Sequence, residues 1–301
     1  MRTIWAILLS IVLISVLLKK NKMKTLFQII GLIIAFVHFP SCTIVDKQHY
    51  YYMQNPPQVT AFKEKNELRL SGNVAGAEEN NGSTVQAAYS ITNHVGITAN
   101  WFKYQAISGN GGNWKAQYYD LGIGYFKDFQ KKGLFEIYGG FGLLEQRHEY
   151  YYIKTDSVYS WWFGPTVNQT LIPAGSATYR AHKIFVQPSY GYSFDAIDII
   201  ISAKLSYLNF TSVDNNVTPG NYRYNEVQLF SYGKSYLFIE PAITFRAGWK
   251  YVKFQLQYAY NGYPGINCSP FTLSTGIQLS FAKRYLKKKN PAESTSSELT
   301  Q

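Results

Sequence analysis

Charged side chains stand at alternate positions within otherwise apolar stretches, and these are the residues whose types and spacing could do chemistry. Side chains two apart in a strand face the same side, so the alternation predicts that they share one surface. Carboxylates and cations on an enclosed surface either provide a path for an ion or solute, or pair and fill the space. The seven members of this candidate charge network are Asp120, Glu136, Asp198, Lys204, Glu240, Arg246 and Lys253.

A catalytic site would need an acid, a base and a nucleophile that converge. The best candidate is His148, which has Glu145, Arg147 and Glu149 near it in the sequence. By alternation His148 faces the interior and His182 faces outward, and no spacing specifies a Ser/His/acid site. We therefore expect no catalytic residue, although an enzyme acting at the rim of the molecule stays an alternative.

The sequence carries no recognisable metal, cofactor or nucleic-acid signal. No H-x-x-x-H or C-x-x-C spacing is present, and the glycine-rich run at 109–112 is typical of a loop between strands rather than of a phosphate cradle. The formal net charge of +11 is spread along the chain and concentrates only at 19–24 and 283–289. We expect no metal, no cofactor and no nucleic-acid partner.

Aromatic residues are concentrated between 150 and 178, a stretch that the pattern predicts to be a long loop. Rings exposed on a loop could bind an extracellular ligand or a protein partner. They could equally belong to an interfacial aromatic belt, or pack on one another, and we favour these two interpretations. The candidate partner-binding residues are Tyr159, Trp161, Trp162 and Phe163.

The elements that must position these residues are strands with two different faces. From 271 to 281 the odd positions hold large apolar residues or Thr, and the even positions hold only small or polar residues. This alternation recurs, so one face of each strand meets an apolar environment and the other a polar one. We predict ten strands, with eight or twelve as alternatives. The predicted spans are 67–76, 83–90, 94–105, 114–126, 133–149, 179–193, 196–210, 235–246, 249–260 and 271–282.

The connections between these strands alternate between short and long. That alternation is typical of outer-membrane barrels, which have short periplasmic turns and longer external loops. We therefore predict an all-β fold, a closed antiparallel up-and-down transmembrane β-barrel over 67–282, surrounded by outer-membrane lipids. An even number of strands places the N-terminus and the C-terminus of the barrel on the same side, in the periplasm. A barrel of this size has a narrow lumen, so we expect the charge network to fill it.

Two prolines, Pro188 and Pro241, fall on the predicted outward face of strands that contain Gln-Pro and Glu-Pro. A proline removes a ladder hydrogen bond from a central strand. A β-bulge is one physical way to place each of them in a strand.

The N-terminus carries targeting signals. Residues 1–41 contain two apolar runs, and Met23 before the second run is an alternative start. The second run ends at Phe39-Pro40-Ser41-Cys42, which resembles a bacterial lipoprotein signal, and we expect a lipid on Cys42. We predict a periplasmic tether at 42–66, which places Cys42 across the membrane from Cys268. A basic and then disordered tail follows at 283–301.

The block Pro57 to Gly72, together with Val85 to Ser90 and His94-Val95-Gly96, resembles uncharacterised outer-membrane β-barrel proteins of Bacteroidota. The resemblance covers roughly residues 42–282. It implies the outer membrane of a Gram-negative bacterium and a lipoprotein-type signal, and it brings no catalytic residue. The expected role is structural or surface interaction, with a small-solute transporter or narrow pore as the alternative.

Overall fold

The computed structural model describes residues 51–77, 80–108, 112–129, 133–160, 164–218, 224–225, 227–228, 233–261, 266 and 268–286. The predicted signal region 1–41, the lipid attachment residue Cys42, and Trp161, Trp162 and Phe163 lie outside these ranges. So does the tail from 287 onward.

Ten antiparallel strands form a closed barrel. Each strand pairs with its neighbours in sequence, and the first strand closes the ring on the last through pairs from Leu68–Phe281 to Gly76–Leu273. This confirms the predicted up-and-down barrel of ten strands. The strands are β1 (Leu68–Ala77), β2 (Asn80–Ser90), β3 (Val95–Ser108), β4 (Gly112–Phe129), β5 (Gly133–Ser160), β6 (Gly164–Ser193), β7 (Ile197–Asn215), β8 (Ser235–Gly248), β9 (Val252–Tyr260) and β10 (Phe271–Phe281).

The two faces of the barrel separate by polarity, as the alternation predicts. In β9 the residues Phe254 and Leu256 are exposed on the outside, whereas Lys253, Gln255 and Gln257 are buried inside. A charge on a lipid-facing position at mid-depth costs about 2–4 kcal/mol. Rows of exposed apolar side chains with polar partners on the inner face therefore describe a barrel whose outside is built for lipid.

The predicted loop at 150–178 is wrong, because most of it is strand. β5 and β6 pair from Gly133–Tyr192 to Ser160–Gly164, with one register shift between Tyr150 and Tyr151. The strands are 28 and 30 residues long, far more than the roughly 9–11 residues that cross a membrane. The prediction ended each strand at membrane thickness, but backbone pairing continues where the sequence turns polar.

The two prolines are accommodated in the strands without a β-bulge. The β6–β7 ladder has the same register on both sides of Pro188, from Val186–Leu205 to Ser189–Ser202, with no pair at the proline itself. Pro241 lies one residue before the β8–β9 ladder begins, at Ala242–Ala259. The missing N–H groups thus fall where the ladder is already interrupted, so no extra residue is needed.

Beyond β10 the chain forms one helical turn, α1 (Lys283–Leu286). Among the residues that the structure describes, no helix is long and apolar enough to cross a membrane.

Candidate functional site

The lumen of the barrel is occupied by the protein's own chain. Residues 51–63, the threaded segment, run along the inside, and all of 51–62 except Gln58 are buried. Of the predicted periplasmic tether at 42–66, residues 51–63 lie inside the barrel, whereas Lys65 and Asn66 are exposed. A sequence signal does exist, because 50–62 contains Tyr, Gln, Asn, Thr and Pro but no charged residue. Such a composition suits a strand-like segment inside a polar lumen.

Four successive carbonyls of the threaded segment are each held by a side chain from a different strand. Gln86 Nε2 donates to the carbonyl of Pro56 at 3.1 Å, and Gln257 Nε2 to that of Pro57 at 2.9 Å. The next two carbonyls, of residues 58 and 59, accept from Gln187 Nε2 at 2.8 Å and from an Arg246 nitrogen at 2.6 Å. These donors come from β2, β9, β6 and β8, so the segment is fixed from all round the wall.

At one end of the lumen the threaded segment is held mainly by rings. Tyr51 stacks on His148 with ring centroids 5.1 Å apart, and the Tyr52 ring lies 4.1 Å from Phe238. The Tyr52 hydroxyl donates to Glu240 Oε1 at 2.5 Å. These residues belong to a buried aromatic cluster that closes this end of the lumen.

At the other end the segment is held by a carboxylate. Glu136 accepts from the Thr60 hydroxyl, from the Thr60 N–H at 3.2 Å and from the Ala61 N–H at 3.0 Å. Ala61 has a positive φ of 51°, a conformation that side chains other than glycine rarely adopt. The Arg69 guanidinium donates to the Ala61 carbonyl at 2.6 Å. Both sides of this unusual peptide are therefore fixed by the barrel wall.

All seven residues of the candidate charge network are buried in the structure. Asp120 pairs with Lys204 at 2.7 Å, and Asp198 pairs with Lys253 at 2.8 Å. Glu136 and Glu240 instead take their contacts from the threaded segment and from neighbouring hydroxyls, including Ser206.

Sequence reasoning missed three further charged residues of the lumen. Lys183 lies 3.0 Å from Asp120, and its alternation with Gln187 in β6 was a usable signal. Glu67 and Arg69 were missed because they lie at the strand start. With them, the buried acids and bases in the part of the chain that the structure describes are equal in number, five of each. The acids are Glu67, Asp120, Glu136, Asp198 and Glu240, and the bases are Arg69, Lys183, Lys204, Arg246 and Lys253.

Glu67 joins the threaded segment to the first strand and to the helical turn after the last strand. It accepts from Arg69 at 2.6 Å and from two Arg284 nitrogens at 2.8 and 2.9 Å, and it accepts from the Lys63 N–H at 3.0 Å. Burial alone would raise the pKa of Glu67, but the charges and hydrogen bonds of Arg69 and Arg284 outweigh it and lower the pKa to about 2. The ionised carboxylate thus connects β1, α1 and the segment.

The candidate catalytic residues do not converge. His148 is buried and stacks on Trp114 with ring centroids 5.5 Å apart, whereas Glu145 and Arg147 are exposed on the outside of β5. Within the described ranges, no group of three His, Cys, Asp or Glu side chains is placed to hold a metal ion. Of the partner-binding candidates, Tyr159 is in β5 near the tip of the β5–β6 hairpin.

A small cavity lies beside the threaded segment. This cavity of about 10 Å³ lies against Gln58, Asn100, Asp120 and Lys204, which is about the room that one water needs.

Burial of Cys268 in the β9–β10 connection, and the nearby Glu240, raise the pKa of its thiol to about 11. Cys268 is therefore a thiol at neutral pH rather than a reactive thiolate.

Neither a protein-family model nor a curated protein sequence matches the chain. Among solved structures, the N-terminal β-barrel domain of Pseudomonas aeruginosa OprF is similar at 9% identity and a TM-score of 0.30, covering 72% of this chain and 99% of that one. The NalP translocator domain from Neisseria meningitidis is similar at 10% identity and a TM-score of 0.40, covering 72% and 88%. The outer membrane protease OmpT from Escherichia coli is similar at 10% identity and a TM-score of 0.39, covering 74% and 99%.

At these identities the likeness concerns the barrel architecture and carries no activity to this chain. The location follows from the chain itself: a closed ring of ten antiparallel strands with an apolar outside, such as Leu121, Ile184 and Ile201, and a polar inside. This is an outer-membrane β-barrel.

Proposed function

We propose that this barrel is a closed membrane anchor with a structural or surface-interaction role, and that it neither conducts solutes nor catalyses a reaction. The supporting observation is the threaded segment, whose carbonyls at 56–59 are each held by a wall side chain. We also propose, from the sequence resemblance and the signal that ends at Cys42, that it is a lipoprotein of the Bacteroidota barrel family.

Conductance in a planar lipid bilayer tests this proposal. The full chain should give no current steps, because the segment and the aromatic cluster fill the lumen. Steps of reproducible size from the wild-type protein would overturn it. The matched control is a variant in which an engineered disulfide, formed by oxidation, fixes the threaded segment in the lumen.

Tyr52 and Cys268 make that control available. They are partners in a parallel β-bridge, and the Tyr52 carbonyl accepts from the Ser269 N–H at 3.0 Å. Bridge partners lie within the Cα separation that a disulfide needs, about 4.4–6.8 Å. Tyr52→Cys should therefore form a disulfide with Cys268 under oxidation. Met53→Cys, one residue on and facing another way, should not.

A narrow pore is the second candidate function. It is supported by pairs that do not involve the threaded segment, such as Asp120 with Lys204 and Asp198 with Lys253, so these wall charges stay compensated if the segment leaves. A pore predicts current from reduced Tyr52→Cys that oxidation abolishes. A closed barrel predicts no current in either state.

A further inference from the structure

The two ends of the barrel differ, and the difference sets its orientation. One end carries turns of three or four residues at 91–94, 130–132, 194–196 and 249–251, and also the start of β1 and the end of β10. The other end carries the two long connections 216–234 and 261–270 and the long β5–β6 hairpin, together with the short connections 78–79 and 109–111. Because outer-membrane barrels have short periplasmic turns and longer external loops, the second end is external.

The threaded segment passes from one end to the other. Its C-terminal residue, Lys63, donates through Nζ to the Ser193 carbonyl at 2.7 Å, beside the 194–196 turn. Its N-terminal part bridges Cys268 through Tyr52, in the external connection between β9 and β10. The chain therefore enters the lumen from the external end and leaves it at the periplasmic end, where β1 begins.

Tyr51 lies above the apolar belt of the barrel. Its carbonyl accepts from Gln146 Nε2 at 2.9 Å. Around Gln146 the outward side chains of β5 change from Leu143, which is apolar, to Glu145 and Arg147, which are charged and exposed. Since charges avoid the lipid-facing side at depth, this change marks the outer boundary of the hydrocarbon layer. Tyr51 is on the outer side of that boundary.

We propose that the chain enters the barrel from the cell surface, so that the residues directly before Tyr51 are displayed there. This inference rests on the proposed function, in which the segment stays in the lumen. The barrel then acts as a conduit that holds the chain before Tyr51 on the outer side of the membrane.

Labelling with a membrane-impermeant maleimide in intact cells tests the inference. Lys47→Cys and Lys283→Cys are each made in the full chain with Cys268→Ser, and the Cys268→Ser parent serves as the blank. Lys283 is exposed and follows β10 at the periplasmic end. The expected result is that Lys47→Cys labels equally before and after permeabilisation, whereas Lys283→Cys labels only after it.

The reverse pattern at Lys47→Cys, labelling only after permeabilisation, would overturn the inference. A shift in gel mobility on heating verifies that each variant is a folded barrel. If Lys47→Cys does not fold, a short epitope inserted between Asp46 and Lys47, probed with antibody on intact cells, decides in the same way. Conductance tests closure separately: a barrel that conducts while residue 47 labels from outside would contradict the proposed function and leave this inference standing.

Discussion

The outer and inner parts of the threaded segment are held by different physical means. Tyr51 and Tyr52 at the outer end stack on His148 and lie against Phe238. At the inner end, Thr60 to Lys63 depend on buried acids and arginines. Ring packing is weakly directional, whereas a hydrogen bond to a buried charge demands one geometry. The inner end therefore contributes most to the register of the segment, whereas the outer end combines ring packing with fewer directional contacts, such as the hydrogen bond from Tyr52 to Glu240.

The largest effect should come from removing Glu136. Glu136→Ala leaves the Thr60 and Ala61 donors without their acceptor, and each buried donor left unpaired costs about 1–3 kcal/mol. We expect the free energy of unfolding in detergent to fall by about 3–5 kcal/mol. Glu145→Ala, on the outside of the same strand, is the matched control and should cost less than about 1 kcal/mol. Equal losses for the two variants would contradict the assigned role of the inner end.

Acid should weaken the inner end through Glu67. Its pKa is lowered to about 2, so its contribution to stability is fully present above the unfolded pKa of about 4.5 and is lost as the pH falls towards 2. The difference in unfolding free energy between the wild type and Glu67→Gln should therefore be constant above about pH 5 and shrink below it. A difference that does not change down to pH 3 would show that Arg69 and Arg284 do not stabilise the ionised form.

The smallest effect should come from the outer end. Tyr52→Phe keeps the ring against Phe238 and removes only the hydroxyl that donates to Glu240, which retains Ser206. We expect a loss of about 1–2 kcal/mol. Tyr207→Phe, on the exposed outer face of β7, should change stability by less than about 0.5 kcal/mol. A loss at Tyr52 as large as that at Glu136 would show that both ends fix the segment alike.

The strands were predictable because each one records two environments in a period of two. In β9 the alternation of Phe254 and Leu256 with Lys253 and Gln255 specifies the face of every residue, and the predicted span 249–260 differs from the observed one only in its first three residues. The extension of β5 and β6 was not predictable in this way. Outside the membrane both faces meet water, so the alternation that marks a strand disappears while backbone pairing continues.

The candidate site was harder to predict than the fold. Alternation places Asp120 and Lys204 on the inner face, but the ion pair between them depends on the diameter of the lumen and on what fills it. The threaded segment was missed because polar and apolar residues do not alternate along 51–63. Its contacts are made with backbone carbonyls, such as that of Pro57, which any residue would present. Only the absence of charged residues from 50 to 62 distinguishes the segment from an ordinary tether.

Threading also constrains the order of assembly. The segment is continuous with β1, and its residues are buried against the wall. A complete ring would leave little room for the segment to pass, so we expect the segment to be in place before β1 pairs with β10. Residues 51–63 then serve as a template around which the strands close.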